Sequence, residues 1–198
     1  MKLATLRTLL WSLVACVALG LGAGAFLLRP APTSAATGFG KGEFALVDSS
    51  GQPVDETIFA GHPSMLFFGF THCPEVCPTT MGEMAGWFEA LGEEGRDLRA
   101  YFVSVDPERD TPAVLDEYVA WVSDRITGLT GTPEEIAKAA KAWGVFYQKV
   151  PLEGGDYTMD HTASVFLLDS NGEFQGTIAY REASETALGK LRNLLERS

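Results

Sequence analysis

Cys73 and Cys77 stand four residues apart in Cys73-Pro-Glu-Val-Cys77, while the third cysteine, Cys16, lies far upstream. On one helical turn or in a tight loop, two such residues bring their Cα atoms to about 6 Å, within the reach of a disulfide. The same geometry lets two thiolates share one metal ion. A place just ahead of a helix lowers thiol pKa through oriented amides, which favours either use. Thiolates are soft ligands suited to Cu(I), and an imidazole as third ligand extends the set to Cu(II). A four-ligand zinc site is disfavoured, because there is no second cysteine pair and no histidine cluster. A fixed structural disulfide usually closes a longer loop than this one. The pair therefore reads as working thiols, for copper or for reversible thiol–disulfide exchange.

A third ligand has three histidines to come from. His62 precedes Pro63 in a polar turn and reads as a surface residue. His72 adjoins Cys73, where it could tune the thiolate or bond a loop carbonyl. His161 follows Asp160 and precedes an expected strand over 162–168. Met81 and Met84 offer thioethers, but with Trp87 and Phe88 they form the buried stripe of a helix. Asp106, ahead of Pro107, reads first as a cap or turn residue, with a part in shaping the edge that carries the cysteines as the alternative.

The surrounding elements decide among these candidates. Phe44 to Val47 and Pro53-Val54 flank Asp48-Ser-Ser-Gly-Gln52, a small hairpin. Met65 to Phe70 is a continuous apolar run, the mark of a central strand covered on both faces. The cysteines follow at once, then a helix with Thr79 and Thr80 as cap candidates. A second buried strand spans 98–105 and a short one 126–129. Thr111-Pro112 and Thr132-Pro133 each place a capping hydroxyl before a proline, opening two further helices, the later one through Trp143. Segments 163–168 and 174–179 flank Asp169-Ser-Asn-Gly172, a strong hairpin signal, and a closing helix spans 183–196. A βαβ start with a C-terminal ββα unit predicts an α/β, thioredoxin-like fold carrying an N-terminal β-hairpin. In that topology reactive cysteines sit where the first central strand opens into a helix, and the loop holding His161 faces them.

The N-terminus has a different character. Lys2 and Arg7 precede an uncharged apolar run over 8–28, closed by Arg29-Pro30. About 20 residues at 1.5 Å each span a hydrocarbon core of about 30 Å. The expected organisation is a cytoplasmic tip (1–7), a transmembrane helix (8–28), a linker (29–40) and the copper-binding domain (41–198). The basic residues ahead of the span place the domain outside the cytoplasm. Leu13-Val14-Ala15-Cys16 is similar to a lipoprotein cleavage box, but the run continues apolar where a lipoprotein turns polar. Setting aside Lys2, Arg7 and Arg29 leaves 12 basic residues against 26 acidic ones, which argues against nucleic acid as a partner.

Three separated segments then resemble one family. Phe68-Gly-Phe-Thr-His-Cys-Pro-Glu-Val-Cys-Pro-Thr-Thr80, Ser104-Val-Asp-Pro-Glu-Arg-Asp-Thr111 and Asp156-Tyr-Thr-Met-Asp-His161 occur in the order found in the Sco/SenC proteins. These are copper chaperones for cytochrome c oxidase assembly, and the likeness extends over about 42–198. The resemblance implies that Cys73, Cys77 and His161 bind copper in either oxidation state, with Asp160 orienting the imidazole. It also implies a copper-bearing oxidase subunit as client. That client would receive copper or have its copper-site thiols reduced. Copper ligation needs reduced thiols, so a thiol reductant is an expected partner, and a second copper chaperone an expected source. The short basic start, without a long Arg- and Ser-rich presequence, favours a bacterial inner membrane with the domain facing the periplasm.

Overall fold

The computed structural model describes residues 38–198. The expected tip, the anchor (8–28) and the linker up to residue 37 lie outside the described residues. Among the described residues, no helix is long and apolar enough to cross a membrane.

The first half runs β1 (Ala45–Asp48), β2 (Pro53–Asp55), β3 (Ser64–Gly69), α1 (Val76–Leu91), β4 (Arg99–Ser104), α2 (Pro112–Ala120), β5 (Ile126–Thr130) and α3 (Pro133–Ala142). The second half adds β6 (Tyr147–Pro151), β7 (Tyr157–His161), β8 (Val165–Leu168), β9 (Phe174–Ile178) and α4 (Ser184–Leu195). Seven strands form one sheet in the order β2-β1-β5-β4-β3-β8-β9, and β6 and β7 form a separate pair. β3 lies parallel to β4 and antiparallel to β8, so its strand neighbours flank it on both sides. Every residue of β3 is buried, which is why its sequence is apolar without alternation.

The cap-and-proline devices act as expected. Thr111 accepts from the Val114 amide and Thr132 from the Glu135 amide, each with proline in the first turn. Met81 and Met84 are fully buried in the core, as the helical stripe predicts. Two expectations require correction. α1 starts at Val76 rather than after Thr79 and Thr80, so Cys77 lies in its first turn. Pro78 permits this, because a first-turn amide has no intrahelical acceptor to lose. The second correction concerns β6 and β7, which pair antiparallel from Tyr147↔His161 to Pro151↔Tyr157. His161 thus closes a strand instead of sitting in a loop, and the next strand begins only at Val165. The hairpin is mostly polar and buries only Met159, so it carries no apolar periodicity to read.

Candidate metal centre

β3 ends at Gly69, and the chain turns through Thr71 and His72 to Cys73 before entering α1. The Cys77 amide points back at the Cys73 sulfur, 3.4 Å away. From the far side of the sheet edge, His161 brings its Nε2 to 3.4 Å from the Cys77 sulfur. The ligand atoms of Cys73, Cys77 and His161 all lie within 4.8 Å of one another. Both cysteines are free thiols, Cys77 fully buried and Cys73 partly so. Gly69 makes room for them, since a Cβ there would sit 2.9 Å from the Cys77 sulfur and 2.7 Å from the Phe102 ring.

The two thiols differ electrostatically. The Cys77 thiol donates to Cys73 and, with the amides of Cys77 and Glu75, brings the Cys73 pKa down to about 5 despite partial burial. Cys77 is pushed the other way, by its bond to Cys73 and by burial, with the nearby charges of Cys73 and Asp110 adding to the rise. The resting pair is therefore one thiolate and one thiol sharing a proton. His161 is oriented by its other nitrogen, as Nδ1 lies 2.9 Å from the Thr162 carbonyl oxygen. A carbonyl can only accept, so Nδ1 carries the hydrogen and the Nε2 lone pair faces the sulfurs. Phe67 and Phe70 wall the imidazole, at centroid distances of 6.0 Å and 5.7 Å.

The remaining candidates separate cleanly. His62 and His72 are exposed, and the His72 ring lies within hydrogen-bond distance of the Thr71 hydroxyl, at 3.1 Å. Asp160 does not orient the imidazole. It is exposed, and adjacent strand residues project to opposite faces, so the Thr162 carbonyl does that work. Asp106 is more than a turn residue: it is 2% exposed, pairs with Arg109 and accepts from the Tyr157 hydroxyl at 2.9 Å. Asp110, fully buried, accepts from the Thr71 amide at 3.0 Å and from the Thr71 and Ser104 hydroxyls at 2.6 Å each. Sequence reasoning assigned no part to Gly69, Arg109, Asp110 or Tyr157. All four lie inside the three resembling segments, which is the one signal that marks them.

The pattern that defines the SCO1/SenC family matches residues 32–196, most of the chain. This chain belongs to the SCO1/SenC family. A "SCO2-like protein" of Rickettsia felis is 36% identical over 135 residues, 67% of this chain and 66% of that one. The match thus spans slightly under two thirds of that relative's length. Among solved structures, Bradyrhizobium japonicum ScoI with copper bound is 41% identical, with a TM-score of 0.71 over 77% of this chain and 98% of that one. BsSco is 25% identical, with a TM-score of 0.64 over 79% of this chain and 93% of that one. It is described as having a disulfide switch and as a member of the Sco family of cytochrome c oxidase assembly proteins. These family structures share the thioredoxin-like α/β fold. The donor set here suits a soft metal: one thiolate, one thiol that can lose its proton, and one imidazole lone pair converge on a partly buried point.

Proposed function

We propose that this chain is a membrane-anchored copper carrier that loads the copper-bearing subunit of cytochrome c oxidase. The convergence of Cys73, Cys77 and His161 within 4.8 Å carries the reading, and the copper-bound relative supports it. Copper is the cargo, held by the two sulfurs and by Nε2 of His161. Ligation displaces the Cys77 proton, so loading is easier as pH rises. Residues 8–28 anchor the chain in a bacterial inner membrane with the domain in the periplasm. There a thiol reductant keeps the pair open, and a second copper chaperone supplies the metal.

The test is anaerobic copper titration of the reduced full chain in detergent, beside His161→Ala, followed by transfer to a copper-free oxidase subunit. One copper per wild-type chain is expected, with Cu(II) affinity in His161→Ala lower by at least about tenfold. An unchanged Cu(II) affinity and spectrum in that variant would overturn the three-ligand set.

A second reading rests on the acidic Cys73 thiol. As a thiol–disulfide oxidoreductase, Cys73 would attack a disulfide in the client copper site, forming a mixed disulfide and releasing one client thiolate. Cys77, losing its proton, would then close the Cys73–Cys77 disulfide and release the second, leaving the client reduced by two electrons. Client reduction that persists in His161→Ala favours this reading over copper transfer.

A further inference from the structure

The segment Ser104–Thr111, between β4 and α2, supplies no ligand, yet it grips both ligand-bearing elements. On one side Asp110 takes three hydrogen bonds, two of them from Thr71, which stands two residues before Cys73. On the other side Asp106 and Arg109 hold Tyr157, the first residue of β7, whose last residue is His161. The Arg109 guanidinium lies 3.8 Å from the Tyr157 ring centroid and donates to the Tyr157 carbonyl at 3.0 Å. Lys149 on β6 pairs with Glu108 of the same segment at 2.8 Å. Phe70 closes the circuit, with its ring against His161 at 5.7 Å and beneath Arg109 at 5.9 Å.

These fasteners matter because the β6–β7 hairpin has little else to hold it. It belongs to no larger sheet, and its two strands meet the core only through buried Met159 and partly buried Tyr147 and Tyr157, the last being the residue that Arg109 and Asp106 grip. A lone two-stranded hairpin is marginal in water. Where His161 stands relative to the sulfurs therefore depends on side chains that reach the hairpin from outside it.

We infer that Ser104–Thr111 is a positioning bridge that sets the gap between the thiol pair and the imidazole. Arg109 and Tyr157 place His161, and Asp110 places the cysteine turn. The inference rests on the copper reading above. Cu(I) is satisfied by two thiolates, whereas Cu(II) draws on the imidazole as well. Loosening the hairpin therefore weakens Cu(II) binding more than Cu(I) binding.

Two measurements on the reduced full chain in detergent test the bridge, using Arg109→Gln, Tyr157→Leu and the milder Tyr157→Phe. The first is made without copper, by NMR on chains with labelled His and Phe. The contact between the His161 and Phe70 rings, present in the wild type, should weaken in the first two variants. Amide exchange in β3 and β4 should stay as in the wild type, which shows the core intact. Persistence of the ring contact in both variants overturns the bridge, whether or not copper binds. In the second measurement, Tyr157→Leu should lower Cu(II) affinity by roughly 10- to 100-fold, the range for residues that orient a ligand. It should lower it no further in a His161→Ala background, and Tyr157→Phe should fall between. Equal losses with and without His161 overturn the bridge. If the wild type shows the ring contact but takes no copper, the copper reading fails and the ring-contact result alone decides the bridge.

Discussion

At the scale of single residues, the site separates two chemically identical thiols by what surrounds them. Cys73 receives hydrogen bonds in a partly open turn, and its pKa is brought to about 5, while Cys77 lies fully buried and is pushed up. The sign for Cys73 is direct: above about pH 5 the thiolate dominates, and below it the nucleophile is lost. An ordinary thiol makes that change near pH 8.5. Alkylation of the reduced, copper-free chain with iodoacetamide should therefore mark Cys73 first, with a rate midpoint near pH 5, followed by mass spectrometry. A midpoint near that of free cysteine would show that the Cys77 bond does not hold the charge. His161 completes the division of roles, since its Nδ1 hydrogen is committed to Thr162 and only Nε2 remains for metal.

At the scale of elements, the centre lies where three of them meet: the end of β3, the first turn of α1 and the last residue of β7. Gly69 is a tight point of that junction. Gly69→Ala would push a methyl group against the Cys77 sulfur and the Phe102 ring. Overpacking of this kind costs about 1–3 kcal/mol, because a dense core yields only by moving side chains or backbone. Thermal unfolding should show that loss, and copper titration should show weaker binding, as the sulfur is displaced from the imidazole. Unchanged stability together with unchanged copper affinity would mean that the sulfur has room this geometry denies it. The hairpin is the contrasting element, touching the core through Met159, Tyr147 and Tyr157 and otherwise held by polar fasteners.

At the scale of the molecule, the described residues 38–198 fall in one compact unit, and the chain as a whole carries a net charge of −11. Such acidity keeps a domain soluble and off anionic lipid headgroups, so the membrane attachment proposed above rests on the apolar run over 8–28. The full chain should sediment with membranes, resist alkaline extraction and require detergent. A chain beginning at residue 38 should be soluble and still bind one copper. Release of the full chain by alkali alone would remove the anchor from the proposal.

The order of most elements, the two proline-headed helices, the buried central strand and the place of the cysteine pair are legible in the chain of residues alone. Those features are local, written in capping residues, turn chemistry and apolar runs a few residues long. The sequence also reached His161, though only through the expected topology and the family resemblance. The tertiary structure alone decided how that histidine is held. Arg109 and Tyr157 meet across 48 residues of chain, and Asp110 reaches Thr71 across 39, so no local pattern records either contact. The polar hairpin escaped for the same reason, its support coming from another loop. Asp160 was misplaced because strand residues alternate sides, and one position along β7 separates a ring facing two sulfurs from a carboxylate facing solvent.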